Sequence, residues 1–138
     1  MSTPIPASTT TVLAQTANED YTLETADSVE TAGVCIDASG ALFGRQFLFK
    51  GIIRSTEGPV AMLLGDAALA DCGSSIKIDS AASFLSAGKG IVALSGGVSV
   101  INIGDFQTVL TGLDLRGNGN GVENVTTMVS SAGRLIVT

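Results

Sequence analysis

Five short segments of this chain follow one formula: an apolar residue, a Ser or Thr, a glycine, then a second apolar run. They read SVETAGVCI, IIRSTEGPVAMLL, SFLSAGKGIVAL, TVLTGLDL and MVSSAGRLIV, with marker glycines Gly33, Gly58, Gly88, Gly112 and Gly133. Successive markers lie 25, 30, 24 and 21 residues apart. A loose period of roughly 20–30 residues is the mark of stacked repeats, where each unit covers its apolar side only against its neighbours. Any fold proposed for the chain has to place five equivalent glycines in five equivalent positions.

Between the markers the period is that of strands. SIKID and GLDLR alternate apolar and polar residues, whereas VSVINI slips phase between Val100 and Ile101, which predicts a bend there. No window of a dozen residues has good helical spacing, and glycine interrupts nearly every candidate. Hydrophobic residues make up 45% of the chain but aromatics only 4%, so the bulk is Val, Ile, Leu and Ala, which suits short strands at close spacing. The expected fold is all-β, a short right-handed parallel β-helix (a β-solenoid of about five coils) with an extended N-terminal arm. Coils stacked about 4.8 Å apart would stand roughly 25 Å tall. The alternative is a β-sandwich or jelly roll, which requires hairpins, and two-residue Asn-Gly hairpins with matched flanks are scarce here.

The expected division is an arm over residues 1–20 and a solenoid over 21–138. The first 18 residues carry no charge, and Pro4 and Pro6 are expected to exclude a regular element. The run Thr9 to Leu13 is β-branched enough to add a strand to a neighbouring sheet edge, or to fold back on its own domain. Both readings stay open from the residues alone.

Charge narrows the partners. The net charge is −6; five acids and no base precede Ala32, and the remainder holds eight acids against seven bases. No basic face offers itself to nucleic acid. No apolar run approaches the ~18 residues of a membrane span, and MSTPIPASTTTVLAQ lacks the basic start and continuous apolar core of a secretory signal. Cys35 and Cys72 form no C-x-x-C pair, have no histidine to join them on zinc, and are expected to be two independent buried thiols.

The pattern SV-x-T-x-G, followed by V-x-I-D-A-S-G and by runs such as GIVALSGGVSVINIG, resembles β-helical repeat regions of bacterial secreted proteins, both adhesin-like and RTX-associated. The resemblance spans roughly residues 21–138 and implies a parallel β-helix on a cell surface or outside the cell. Members of that kind often carry calcium-binding G-G-x-G-x-D-x-U-x nonapeptides. This chain has none, so calcium binding is not carried over.

The stretch LRGNGNGVEN, residues 115–124, draws attention as a binding loop. Gly117, Gly119 and Gly121 read G-x-G-x-G, but a β-type run follows where a dinucleotide site needs a helix. Asn118, Asn120 and Glu123 are oxygen donors for a hard cation, yet Gly121 stands where an RTX turn would place its ligand aspartate. The segment is expected to be a solenoid corner. Without histidine, Ser-His and Cys-His nucleophile arrangements cannot be built. Glycosidase chemistry would need two carboxylates within about 10 Å. The available acids are Asp66, Asp71, Asp79, Asp105 and Asp114, beside Arg54, Lys77, Lys89 and Arg116, with Asp79 and Asp105 expected to align on stacked coils. Asn124-Val125-Thr126 matches a glycosylation sequon, a pattern frequent by chance.

A scaffold is the remaining reading: a non-enzymatic structural protein without cofactor that assembles with itself or another structural protein. The expected contacts are Thr10, Thr11, Val12 and Leu13 of the arm, and Leu135, Ile136 and Val137 of RLIVT, an apolar strand with no polar cap after it. Its expected setting is an extracellular fibre, a cell surface, or a fibre or decoration component of a virus particle. The alternative is a glycan-binding or polysaccharide-cleaving β-helix module.

Overall fold

The computed structural model describes residues 2–4, 13–14, 20–40 and 44–137. Seventeen strands follow one another, with no helix among the described residues. Level zero holds β1 (Ser2–Pro4) and β2 (Leu13–Ala14); level one holds β3 (Asp20–Leu23), β4 (Ser28–Thr31) and β5 (Ile36–Ser39). Level two is β6 (Gln46–Phe49), β7 (Ile52–Ser55) and β8 (Val60–Gly65); level three is β9 (Ser75–Ile78), β10 (Ser83–Ser86) and β11 (Lys89–Ala93). Level four is β12 (Ser99–Asn102), β13 (Asp105–Thr108) and β14 (Leu113–Leu115); level five is β15 (Gly121–Asn124), β16 (Thr127–Ser130) and β17 (Ile136–Val137).

Every third strand pairs in parallel with the one a level below. Sheet A runs β1-β3-β6-β9-β12-β15, sheet B β4-β7-β10-β13-β16, and sheet C β2-β5-β8-β11-β14-β17. From β3 to β15 the path completes four turns of a parallel β-solenoid. Among the described residues no hairpin of the alternative sandwich occurs, and every strand pairing there is parallel.

Strand register turns the sequence pattern into columns. Inside sheet B stand Val29, Ile53, Phe84, Phe106 and Met128. Inside sheet C stand Ile36, Met62, Ile91, Leu113 and Ile136, with Leu13 paired to Ile36 below. The five described aromatic rings form one contact chain through the core. Tyr21 stacks on Phe47 at 6.1 Å, Phe47 touches Phe49 and Phe49 touches Phe84 at 6.3 Å each, and Phe84 stacks on Phe106 at 5.0 Å. Each fully buried Ile, Leu or Phe contributes about 1.5–3 kcal/mol through water exclusion.

The corner between sheets B and C explains the repeat. All five marker glycines lie there, each between a sheet B strand and the following sheet C strand. The last residue of every sheet B strand is a hydroxyl: Thr31, Ser55, Ser86, Thr108 and Ser130, in register. Ser55 donates to the Gly33 carbonyl at 2.6 Å, Ser86 to Lys89 at 2.6 Å and Thr108 to Leu110 at 2.8 Å. The Gly58 and Gly88 amides donate back to the Ser55 and Ser86 hydroxyls at 3.2 and 3.1 Å. Backbone groups that leave the ladder at the bend thereby find partners, each such bond contributing about 1 kcal/mol.

Three expectations change. Pro4 does lie in a strand: β1 pairs with β3, Pro4 opposite Thr22, at the outer edge of sheet A, where a missing N–H interrupts no ladder on the far side. Solenoid pairing therefore begins ahead of residue 20, with β2 on β5 as the second contact; Pro6 and the arm residues Thr10, Thr11 and Val12 lie outside the described residues. The bend expected at Val100–Ile101 is absent. Val98, Val100 and Asn102 are all buried along one side while Ile101 faces outward, half-buried, so the alternation is unbroken with Asn102 as an inward member. Hydropathy alone assigns that inward place to an isoleucine.

Candidate functional site

The level-five rim is where the stack stops being covered. Among the described residues no strand pairs with β15, β16 or β17 on the side away from level four. Ile136 continues the inward column of sheet C yet is 39% exposed; at the same level Val125, in the corner after β15, is 59% exposed, and Val129, on the outer side of sheet B, 43%. Leu135, half-buried, packs against the core beside Ile136. Of the expected assembly residues, Leu13 is paired within its own chain, and Leu135 and Ile136 reach the rim in the neighbourhood of β17, which includes Val137.

A second surface lies on the outside of sheet B. A shallow groove of about 340 Å³ crosses levels two to five, lined among others by Arg54, Leu85, Gln107, Val109, Val129 and Ser131. At level three Leu85 is only half-buried between the longer Arg54 and Gln107 side chains of adjacent levels.

Three of the acids are held by their own loops. Asp66 accepts the Ala68 amide at 2.8 Å, Asp71 the Gly73 amide at 2.8 Å and Asp79 the Ser80 amide at 2.9 Å. The Gln107 side chain donates to both oxygens of Asp105, at 2.9 and 3.1 Å. The expected alignment of Asp79 with Asp105 does not occur. Ser83 is the register partner of Asp105, while Asp79 sits in the preceding corner with its amide on the Phe49 carbonyl. Four residues, 79–82, join β9 to β10, whereas two, 103–104, join β12 to β13, so Asp79 stays in its corner while Asp105 opens a strand.

Asp114 differs. Its carboxylate lies on the outside of sheet C, only 12% exposed, with Arg116 at 3.2 Å and Lys89 of the level below at 3.4 Å. Burial pushes its pKa up, but the Arg116 and Lys89 contacts outweigh that and hold it below the ordinary 3.8. A carboxyl lowered by folding stabilises the fold above its unfolded pKa, and the contribution is lost as pH falls through the folded value. Asp114→Asn is therefore expected to cost about 1 kcal/mol at neutral pH, kept small by the exposure of both cations. The difference from the unaltered chain should close once pH drops below the lowered value, as read by urea unfolding at a series of pH values. A gap that persists unchanged to the acid limit would exclude the charge contacts as its cause.

Within the segment 115–124, residues 116–120 form the corner between β14 and β15, which sits directly on the level-three corner. The Gly97 amide donates to the Asn118 carbonyl at 2.8 Å, and the Val98 amide to the Asn120 side-chain oxygen at 2.9 Å. Asn120 returns a bond to the Arg116 carbonyl at 3.0 Å. No helix follows to present amides to a phosphate; β15 follows. Among the described residues no three His, Cys, Asp or Glu side chains gather into a group that would hold a metal ion, and no helix is long and apolar enough to cross a membrane.

Two interior polar residues escaped the sequence reading. Asn102, fully buried, replaces the Leu23, Phe49 and Ile78 of the levels below and donates to Asn124 above it at 2.9 Å. Its oxygen accepts the Gly104 amide at 3.2 Å. Asn124 is thus part of an inward amide ladder, and its nitrogen donates to the Thr126 carbonyl at 3.2 Å, which occupies the sequon's acceptor atom. Arg45 is also buried, donating to the Ala38 carbonyl at 2.9 Å with its guanidinium 5.7 Å from the Phe47 ring centre. The inward-facing asparagine pair, at Asn102 and Asn124, is 22 residues apart, a spacing close to the repeat and the one signal that was available. Both cysteines are buried free thiols, and burial pushes the Cys35 thiol up despite its Thr31 contact.

Compared with protein-family models, with curated proteins and with solved structures, the chain gives no match.

Proposed function

We propose that this chain is a non-enzymatic structural module, a short β-solenoid that associates through its level-five rim with a second copy of itself. The observation that carries this reading is the rim, three strand edges with Val125, Val129 and Ile136 exposed around them. Open edges beside apolar side chains are the two properties that drive strand addition. Charge favours the same partner. Level one carries Asp20, Glu24, Asp27 and Glu30, whereas residues 121–137 carry only Glu123 and Arg134, which cancel. Two level-five rims meet without like-charge repulsion. Such a module belongs in an extracellular fibre, on a cell surface or on a virus particle.

Sedimentation over a range of concentrations tests it. The full chain is expected to run larger than its 13.9 kDa monomer, and the double variant Val125→Lys, Val129→Lys as a monomer. A full chain that stays a compact monomer at every concentration removes the proposal. If that monomer is retained on an immobilised acidic polysaccharide, and Arg54→Ala abolishes retention, the glycan-binding reading of the sheet B groove takes its place.

A further inference from the structure

The stretch over residues 115–124 contains two Asn-Gly pairs, Asn118-Gly119 and Asn120-Gly121. In such a pair the glycine nitrogen attacks the asparagine side-chain carbonyl carbon, unshielded because glycine lacks a Cβ. A new N–C bond closes a five-membered succinimide, and the side-chain nitrogen leaves as ammonia. Water then opens the ring at either carbonyl, giving aspartate or isoaspartate. The reaction needs an asparagine side chain free to turn and a glycine nitrogen free to attack.

We propose that Asn118 is a spontaneous deamidation site and that the fold protects Asn120 in the same motif. Asn118 is exposed, and among the described residues its side chain makes no hydrogen bond. The Gly119 amide likewise donates none. Gly119 is open around its Cα, with nothing nearer than 3.9 Å to an added Cβ, and takes a left-handed φ of 75°. Asn120 is the opposite case at both ends. Its oxygen is held by the Val98 amide at 2.9 Å and its nitrogen by the Arg116 carbonyl at 3.0 Å. The nucleophile is held as well, because the Gly121 amide donates to the Val98 carbonyl at 2.9 Å. Asn120 therefore reacts only when the corner opens, and Asn118 reacts from the folded state.

The modification has a structural consequence at a defined place. Conversion at residue 118 adds one negative charge to a chain already at −6. Isoaspartate also reroutes the main chain through the former side chain, in the residue whose carbonyl accepts the Gly97 amide at 2.8 Å. That bond ties the level-four corner to level three, so the aged form loosens this corner first. The inference is independent of any partner at the rim.

The test is an incubation of the full chain at mildly alkaline pH, folded and in urea, followed by digestion and mass spectrometry of the Asn, Asp and isoaspartate forms at both positions. In the folded chain residue 118 is expected to convert at least about tenfold faster than residue 120, because only the latter waits for local opening. In urea the ratio should fall towards one through acceleration at Asn120. Asn118→Gln, a change at an exposed side chain, should remove nearly all the charge change seen in the folded protein. Equal rates at the two positions in the folded chain, or a ratio that urea leaves unchanged, would overturn the proposal.

Discussion

Replacing Phe84 by alanine is expected to remove about 3–5 kcal/mol of stability, the range for deleting a fully buried aromatic side chain. Phe84 is fully buried, stacks on Phe106 at 5.0 Å and touches Phe49 at 6.3 Å, so it joins the rings of levels two, three and four. A solenoid core is only one side chain wide per column, and neighbours fixed by the strand register have little freedom to collapse into the space. For a domain with a total stability of about 5–15 kcal/mol the loss is about a fifth or more. Urea unfolding should show a midpoint shift at unchanged slope, and the melting temperature should fall by about 10–20 °C. A loss below about 1 kcal/mol would mean that the aromatic column does not bear on the fold.

The second large effect concerns a single added methyl group. A Cβ on Gly88 would lie 2.3 Å from the Pro59 carbonyl oxygen and 2.6 Å from its carbon, both main-chain atoms of the level below. No side-chain rotation relieves that contact. The corner has to separate, and the Lys89 amide then loses its 2.7 Å bond to the same Pro59 carbonyl. Gly88→Ala is expected to cost about 3 kcal/mol, at the upper end for overpacking. Gly121 provides the control, because nothing lies within 4 Å of its added Cβ. Gly121→Ala should be neutral or stabilising by a few tenths of a kcal/mol, through the unfolded chain. Equal costs at the two positions would show that glycine is required for its flexibility and not for the close approach of stacked corners.

The corner between sheets B and C was legible for a physical reason. Stacked corners bring main chain against main chain, which admits glycine and little else, and the departing ladder needs a hydroxyl partner. Those two demands fall on positions two to four residues apart, as in Ser55-x-x-Gly58 and Ser86-x-Gly88, so they leave a local pattern. Strand alternation was legible for the same reason, since a strand's two sides are defined by adjacent residues. The corner between sheets C and A left no such mark. Residues 66–74 bridge β8 and β9 with nine residues, while two residues, 103 and 104, suffice between β12 and β13 at another corner.

What joins levels was not legible. Lys89, Asp114 and Arg116 meet on sheet C only because register places β11 beside β14. Asp79 and Asp105 miss each other because the same register puts Ser83 opposite Asp105. The burial of Asn102 depends on Asn124 one level above and the Gly104 amide beside it. Pro4 looked like a breaker, and its place depends on being at a sheet edge.

By itself the sequence determined the repeat, its strands, the glycine corners and the near absence of helical spacing, because each follows from residues within a few positions of one another. The tertiary structure decided which side chains face inward at the polar positions, which acids acquire cations, which of two identical Asn-Gly pairs is held still, and which rim no described strand covers. Those outcomes depend on the stagger between coils of unequal length. Corners between the same two sheets differ in length while the columns stay in register, so counting along the sequence does not give the contacts between levels.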